Sequence, residues 1–491
     1  MIKQPHAHQT EAVDRLRQAL LAGKRRPMLQ APTGFGKTLL GAMIVEGALS
    51  RGKRVIFTVP ALSLIDQTVE AFQAEGIDAI GVMQGFHPLS DARQPVQVCS
   101  VQTLMRRRPP VSDVVLIDEA HRWFDFYGEW MNQPEWARVP FIGLSATPWT
   151  KGLGKFFDDL IIVRNTADLI EQGYLSPFRV FAPTHPDLQG VRTQRGDFHE
   201  GDLAEAMDKP HLVADVVSTW LARGEGRPTL CFAVNRAHAK RLQQQFQAAG
   251  VPTAYVDFAT KREEREQIRQ AFQAGEIKVV SNVATLTTGL DWDVRCISLA
   301  RPTKSRMLYV QIIGRGLRNA PGKADCLVLD HSDTTLRLGF VTDVHQEHLD
   351  DGKGRGAVER KVEQPLPKEC PQCHFLKAPK VSLCPSCGFK PERQSNVQCE
   401  DGDLVELTRR PKQAQPTRAE KQRWFSMLNS IASERRYSSG WVSQKYREKF
   451  GVWPRDLSHH RIPAESDVLG WVRSRNIAWV KSKGASHARA S

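Results

Sequence analysis

The sequence contains no long hydrophobic run. No stretch of its 491 residues approaches the roughly 20 consecutive apolar residues of a membrane-spanning helix. No apolar segment follows Lys3 near the start, so a secretory signal is not predicted either. We therefore expect a cytoplasmic protein with no membrane partner.

Cysteine is scarce and unevenly placed. The chain has nine cysteines, of which four fall between residues 370 and 387 and five are scattered. Disulfides are rare in a reducing compartment, so a tight cluster of thiols indicates a bound metal ion. A disulfide framework is not expected.

Acidic residues are in deficit in the last third of the chain. The sequence carries a formal net charge of +14, of which residues 351–491 contribute +12 and residues 1–350 only +2. Lys and Arg residues that neutralise phosphates release counterions, which favours a polyanionic partner. A basic surface without such a partner is the alternative.

Short apolar runs alternate with helical patterns in two blocks. The runs show no polar alternation, which is typical of strands covered on both faces in a parallel sheet. Helices such as the one predicted over Glu263–Ala274 would supply the right-handed crossovers. Each block is therefore predicted to be one open parallel sheet of the α/β class. The predicted strands are Pro27–Ala31, Arg54–Pro60, Val96–Ser100, Val114–Ala120 and Phe141–Thr147, then Thr229–Val234, Thr253–Phe258, Ile277–Ala284, Cys296–Pro302 and Cys326–His331.

A glycine-rich segment, Ala31-Pro32-Thr33-Gly34-Phe35-Gly36-Lys37-Thr38, lies between a predicted strand and a predicted helix. Such a turn directs backbone amides at phosphates, while Lys37 would meet the β- and γ-phosphates and Thr38 would ligate Mg²⁺. Ala31 stands where strict Walker spacing has glycine. The predicted ATP-binding residues here are Thr33, Gly34, Gly36, Lys37 and Thr38.

Two acids follow the apolar run Val114–Ile117, in the segment Asp118-Glu119-Ala120-His121. They are expected at the carboxyl edge of the sheet, beside the phosphate loop. Asp118 could hold Mg²⁺, and Glu119 could orient or deprotonate the attacking water. Without the loop, the same pair would indicate only a solvated turn.

These motifs together resemble those of the superfamily-2 helicases of the DEAD/DEAH-box type. Ser145-Ala146-Thr147-Pro148 resembles the segment that couples ATP state to domain closure, and Gln9 resembles the glutamine that reads adenine. Residues 282–291 resemble motif V and residues 311–318 resemble motif VI. The resemblance implies two tandem RecA-like domains that bind ATP and Mg²⁺ and hydrolyse ATP. The further site residues that it implies are Gly289 and Asp291 as nucleotide contacts and Gln311, Arg315 and Arg318 as catalytic residues.

The arginines of motif VI have a physical reason to lie in the second domain. Phosphoryl transfer spreads negative charge over the γ-phosphate oxygens, and a guanidinium group stabilises that charge. If Arg315 and Arg318 supply it, hydrolysis requires closure of the two domains, and product release reopens them.

The sequence is similar in more detail to the RadD-like bacterial repair helicases. The similarity covers about residues 1–345, is most specific over 282–330, and is followed by a cysteine cluster. It implies DNA, single-stranded or branched, as the partner and repair or recombination as the setting. Ala120 departs from the cysteine that these proteins tend to have there, and residues 400–491 match nothing in that family.

Two C-x-x-C pairs, Cys370 with Cys373 and Cys384 with Cys387, are separated by ten residues. Four thiolates at this spacing predict a closed, structural Zn²⁺ site, a zinc ribbon. His374 is expected on the surface rather than as a further ligand.

The last segment, residues 418–491, holds five of the chain's eleven tryptophans and fifteen basic against six acidic residues. Basic and aromatic residues together favour nucleic acid, and we expect Lys445 and Lys449 to share one helix face of a clamp. A docking surface for a protein partner is the alternative.

The predicted organisation has five parts. They are a RecA-like ATP-binding domain over residues 1–165, a second RecA-like domain over 166–345 with a connecting segment at 166–226, a linker at 346–368, the zinc ribbon at 369–390 and a basic, Trp-rich helical segment at 418–485. Three other functions are weighed against a DNA motor: an RNA helicase, a non-catalytic nucleic-acid adaptor, and a motor subunit of a restriction-type complex. Intact Lys37, Glu119, Arg315 and Arg318 argue against the adaptor.

Overall fold

The protein is described here by a computed structural model. It describes residues 2–194, 196–283, 285–287, 292–353, 365–391 and 416–487. The chain forms two compact units, Met1–Arg393 and Gln394–Ser491.

The first sheet of the larger unit has seven strands, all parallel, in the order β3-β4-β2-β5-β6-β1-β7. The central strands are buried on both faces, as their unbroken apolar sequences predict. The strands are β1 Pro27–Gln30, β2 Val55–Val59, β3 Ile80–Met83, β4 Val96–Ser100, β5 Val114–Asp118, β6 Phe141–Ser145 and β7 Asp159–Ile162. The two outermost strands, β3 and β7, were not among the predicted runs.

Helices connect these strands. The helix after the phosphate loop begins at Lys37. Gly36, the residue before it, has a left-handed conformation. Aromatic residues 123–136, which follow the acids, pack into the core of this sheet with Phe141. The helices are α1 Ala7–Leu21, α2 Lys37–Leu49, α3 Ile65–Gln73, α4 Val101–Leu104 and α5 Asp125–Met131.

The second sheet has six parallel strands in the order β12-β13-β11-β14-β15-β8. Its edge strand β8 comes from the predicted connecting segment and pairs with β15 through Phe178 and Cys326. The strands are β8 Phe178–Phe181, β11 Thr229–Phe232, β12 Thr253–Val256, β13 Val279–Asn282, β14 Cys296–Leu299 and β15 Cys326–Asp330, and a small antiparallel hairpin is formed by β9 Thr193–Gln194 and β10 Asp197–Phe198.

The helices of this half surround the second sheet. Helix α10 fits the crossover predicted over Glu263–Ala274 to within a residue. The helices are α6 Thr166–Glu171, α7 Glu200–Met207, α8 Pro210–Arg223, α9 Arg236–Ala248, α10 Arg262–Gln273, α11 Arg306–Leu317 and α12 Thr334–Leu338. Both parallel sheets and the helical C-terminal unit therefore confirm the predicted fold class.

A small cysteine-containing hairpin ends the larger unit. Its strands are β16 Lys368–Glu369 and β17 Leu376–Lys377. The amide of Ala182 donates to the carbonyl of His374 at 2.9 Å, and the rings of Phe181 and Phe375 lie 5.3 Å apart. The hairpin is thus fixed to the edge strand β8.

The smaller unit consists of three helices, α13 Arg418–Glu434, α14 Ser439–Phe450 and α15 Ser466–His487. Leu428 and Ile431 are fully buried in its core, with Val442, Tyr446 and Val472 from the other two helices. Trp424, Trp441 and Trp471 border this core and are only partly buried.

No helix among the described residues combines the length and the apolar character that crossing a membrane requires.

Candidate ATP-hydrolysis site

The phosphate loop runs from the end of β1 to the start of α2. Gly34 and Gly36 have φ angles of +85° and +83°, which glycine adopts without strain. A side chain would also collide at both positions, because a Cβ would lie 2.2 Å from Leu175 Cδ2 at Gly34 and 2.2 Å from Gln9 Nε2 at Gly36. Both glycines are therefore required by backbone conformation and by close neighbours.

Gln9 lies against this loop and is buried. Its Nε2 donates to the carbonyl of Phe35 at 2.9 Å, and its Oε1 accepts from the amide of His6 at 2.9 Å. The side chain thus fixes the phosphate loop to the start of α1. Its reading of adenine stays a prediction.

Aromatic rings gather beside Gln9. The ring of Tyr174 lies 4.8 Å from that of His6 and 4.5 Å from that of His8, and His8 also contacts Phe35 at 4.6 Å. Sequence reasoning missed Tyr174, because it comes from the turn after α6 and only the fold brings it here.

Lys37, Asp118 and Glu119 form a compact charged group at the carboxyl ends of β1 and β5. The ammonium of Lys37 lies 2.8 Å from Asp118 Oδ1 and also contacts Glu119 Oε1. Glu119 has a φ of 49°, and its amide donates to Asp118 Oδ1 at 2.8 Å. This left-handed turn directs both carboxylates at the phosphate loop, as the spacing predicted.

The pKa values of this group follow from burial and mutual attraction. Burial disfavours the charge on Lys37, but the two carboxylates outweigh it and raise the pKa of the ammonium. Burial raises the pKa of Asp118. It also acts on Glu119, but the positive charges of Lys37 and Arg315 hold the pKa of Glu119 below its usual value. An ionised Glu119 is suited to accept a proton from water.

His121 joins the acids to neighbouring elements of both sheets. Its Nδ1 lies 3.2 Å from Glu119 Oε2 and 2.9 Å from Ser145 Oγ, while its Nε2 lies 3.2 Å from Gln311 Nε2. Because an amide nitrogen can only donate, Nε2 must accept and the proton lies on Nδ1. Burial lowers the pKa of His121 to about 4, in agreement with a neutral ring.

Helix α11 brings the second sheet to the phosphate loop. Gln311 Nε2 donates to Thr147 Oγ1 at 3.3 Å, and a Cβ on Gly314 would lie 2.7 Å from Thr33 Oγ1. Arg315, one turn after Gln311, is buried, and its charge contributes to lowering the pKa of Glu119.

Arg318 ends α11, and its backbone pairs with Leu175. Thr38 is the exposed second residue of α2. Gly289 and Asp291, predicted as nucleotide contacts, lie outside the described residues. The other predicted site residues are gathered at the loop, the acids and α11.

The residues present fit a magnesium-bound nucleoside triphosphate. Left-handed glycines open the loop at the N-terminus of α2, Lys37 offers an ammonium, and Thr38 and Asp118 offer oxygen ligands of the type that Mg²⁺ prefers. When bound, Mg²⁺ would neutralise charge that develops on the phosphates.

The four clustered cysteines lie at the distances of one metal site. All four Sγ atoms are within 4.8 Å of one another, with Cys370 to Cys387 at 3.7 Å and Cys373 to Cys384 at 3.6 Å. A tetrahedral Zn²⁺ with Zn–S bonds of about 2.3 Å separates its sulfurs by roughly 3.8 Å. The donor set therefore fits zinc.

The two C-x-x-C turns have matching backbones. The residue after each second cysteine has a left-handed conformation, with a φ of 61° at His374 and 73° at Gly388, and its amide donates to the first cysteine's carbonyl at 2.9 Å. His374 directs Nδ1 to Glu369 at 2.6 Å, which gives its side chain a partner other than the thiolates.

Both halves of the site lie in regions that match known families. Residues 2–150 match the family described as "Type III restriction enzyme, res subunit", and residues 208–320 match "Helicase conserved C-terminal domain". The chain is a superfamily-2 helicase-type ATPase.

Relatives of this helicase include phage, yeast and bacterial proteins. The chain is 26% identical over 373 residues to a 51.5 kDa protein of a Lactococcus phage, covering 74% of this chain and 77% of that protein. It is 28% identical to the candidate ATP-dependent helicase IRC3 of Saccharomyces cerevisiae, and the match covers 66% of this chain and 50% of that protein. It is 25% identical to the type I restriction enzyme EcoAI endonuclease subunit of Escherichia coli, and the match covers 68% of this chain and 46% of that subunit. The helicase thus spans about half of the last two relatives.

Solved structures agree with the fold. A fragment of a candidate HsdR subunit of a type I restriction enzyme from Vibrio vulnificus superposes with a TM-score of 0.54 at 20% identity, covering 71% of this chain and 67% of that one. The type ISP restriction-modification enzyme LlaBIII, bound to DNA, gives a TM-score of 0.50 at 16% identity, with 66% and 27% covered.

The group formed by Lys37, Asp118 and Glu119 generates the first prediction. Lys37→Ala should weaken nucleotide binding and abolish turnover, because it removes the phosphate-facing ammonium. Glu119→Gln should still bind ATP but turn over at least about 100-fold more slowly, because the general base is lost. Phosphate release and binding of a fluorescent ATP analogue measure the two effects. Near wild-type turnover in Glu119→Gln would overturn the role of this residue.

The cluster of four cysteines generates the second prediction. Purified protein should contain about one zinc ion per chain, because four thiolates complete one tetrahedral site. Cys373→Ser should lose the metal and increase hydrogen exchange in residues 369–390 more than in the two sheets. A metal-free protein purified under reducing conditions, with the hairpin protected as before, would refute the zinc site.

Proposed function

We propose that this ATPase is a DNA motor, a helicase or translocase that couples ATP hydrolysis to relative motion of two RecA-like domains. We place the first domain at residues 1–165 and the second at 166–345. In this proposal Gln9, Thr33, Gly34, Gly36, Lys37 and Thr38 bind the nucleotide, with Gly289 and Asp291 from the second domain.

The observation that carries the proposal is the contact of Gln311 with His121 and Thr147. Gln311 belongs to a helix of the second sheet, whereas His121 and Thr147 follow strands of the first. A change at Glu119 during hydrolysis therefore has a path of direct contacts to the second sheet. A second contact, Arg262 Nη1 to Asp66 Oδ2 at 2.6 Å, also joins the two halves.

In the catalytic step Glu119 would orient or deprotonate the attacking water, and Asp118 and Thr38 would hold Mg²⁺. Arg315 and Arg318 would stabilise charge on the γ-phosphate. Because these arginines belong to the second domain, hydrolysis depends on the domains being together and release allows them to part. That cycle would move a bound strand.

DNA is favoured over RNA by two considerations. The sequence resembles RadD-like repair helicases over residues 282–330, from which we infer repair or recombination as the setting. Three of the similar proteins carry restriction-enzyme names, and the LlaBIII structure is bound to DNA. The same names support a second candidate, a motor subunit of a restriction-type complex, in which a partner would supply cleavage.

The proposal is tested by measuring ATPase rates with single-stranded DNA, duplex DNA, forked DNA and RNA. We expect stimulation by DNA above the rate with RNA of the same length. Forked DNA as the best activator would favour repair, and duplex as the best would favour the restriction-type motor. Stimulation by RNA alone would overturn the choice of DNA.

The motif VI arginines generate a prediction for the same assay. Arg315→Ala and Arg318→Ala should each lower kcat by about 10³-fold or more, because an arginine finger acts on transition-state charge. ATP affinity, which is set mainly by the phosphate loop, should change much less. A loss of affinity with unchanged kcat would show that the arginines bind only ground-state nucleotide.

A further inference from the structure

Three of the six acidic residues between residues 416 and 487 have internal partners that compensate their charge or satisfy their oxygens. Glu448 pairs with Lys445 at 2.8 Å and with Arg475 at 3.6 Å, and Glu465 pairs with Arg423. Glu420 caps α13 through Thr417. The basic residues in these pairs are neutralised. The charge of the unit's surface therefore depends on the basic residues that have no acidic partner.

Of the two lysines expected to share one helix face, only Lys449 is exposed. Lys445 is largely covered and paired with Glu448, with 14% of its side chain exposed. The ammonium of Lys449 lies 4.2 Å from the ring centre of Trp424 and 5.8 Å from that of Trp471. Lys445 is thus neutralised by Glu448, whereas Lys449 is exposed and packs over tryptophan rings, so a part for the two residues in a clamp stays a prediction.

The turn between α13 and α14 is different. Arg435 and Arg436 are both exposed, and neither has a carboxylate within ion-pairing distance in the part of the unit that the structure describes. Two adjacent guanidinium groups therefore face solvent at one turn.

Two aromatic rings lie at the same turn. The rings of Tyr437 and Trp441 are 4.6 Å apart and inclined by 40°, and 38% of Tyr437 is exposed. Trp441 packs partly on the core of the unit, so it holds the pair in place. An exposed ring that is fixed from below can stack on an unpaired base.

Arg436 occupies a backbone position that favours glycine. Its φ is +55°, and the amide of Tyr437 donates to the carbonyl of Ala432 at 2.8 Å across it, the pattern that ends a helix with a left-handed residue. An arginine is strained there, whereas glycine is not. The side chain of Arg436 therefore does not serve the stability of this turn.

We propose that the turn formed by Arg435, Arg436 and Tyr437, with Trp441, is a second nucleic-acid site, which binds the sugar–phosphate backbone of a single strand and stacks one base. The guanidinium groups contact phosphates, and the Tyr437 ring accepts the base. A single strand is the occupant, because the stacking ring requires a base outside a helix. Two neighbouring cations match a polyanion in charge, which a neutral protein surface would not.

The experiment uses the full chain carrying Lys37→Ala, so that the result does not depend on ATP turnover. Binding to a labelled oligo-dT strand is measured against salt for Arg436→Gly, Tyr437→Leu and the parent. Arg436→Gly should have an unchanged or higher melting temperature, since glycine relieves the left-handed residue. Its affinity should fall roughly fivefold at 0.1 M salt, and its log–log salt slope should fall by about 0.7, as for one lost phosphate contact to a single strand.

Matched variants separate the site from general charge. Arg461→Ala removes the same charge from an exposed position outside the turn and should change the affinity and the slope little. Arg436→Lys keeps the charge and should keep the slope. Tyr437→Leu should weaken binding to the strand about tenfold with an unchanged slope, because it removes stacking and no charge.

Unchanged affinity and slope in Arg436→Gly would overturn the proposal, and so would equal losses in Arg436→Gly and Arg461→Ala. Absence of ATPase stimulation by DNA in the catalytically intact chain would count against the proposed motor function and not against this second site. The two failures are therefore distinguishable.

Discussion

The ammonium of Lys37, held between the carboxylates of Asp118 and Glu119, is the interaction on which the rest of the site depends. Three largely covered charges are costly to remove from water, and removing one partner leaves the others uncompensated. The sheet supplies them from two strands, with Lys37 after β1 and both acids at the end of β5. Parallel order brings these ends to one edge, so the arrangement of the strands determines where phosphate chemistry takes place.

From this group, contacts extend outward in a defined order. Glu119 contacts His121, His121 contacts Gln311, and Gln311 belongs to a helix of the second sheet. Gly314 follows one turn later and lets that helix approach Thr33 of the phosphate loop. The absence of a side chain at Gly314 is thus as necessary to the contact as the polar groups are.

Much of this could be predicted from the sequence, because buried parallel strands and a phosphate loop have strong local signals. The strands missed in the two parallel sheets were the short edge strands Ile80–Met83, Asp159–Ile162 and Phe178–Phe181. Each of them is only four residues long, β7 and β8 are partly exposed, and Arg179 interrupts the apolar run of β8. Tyr174, next to His8, had no local signal at all, since tertiary structure alone places it there. Helical spacing also could not show that Lys445 pairs with Glu448 and is largely covered, since that pairing depends on side-chain conformation.

The central claim is that His121 and Gln311 act together in transmitting the ATP state between the sheets. A double-mutant cycle on kcat, with His121→Ala, Gln311→Ala and the double variant at saturating ATP and DNA, tests it most directly. We predict that the kcat of the double variant is little lower than that of the less active single variant, because both changes break one path of contacts. Losses that multiply, as for independent sites, would contradict the account.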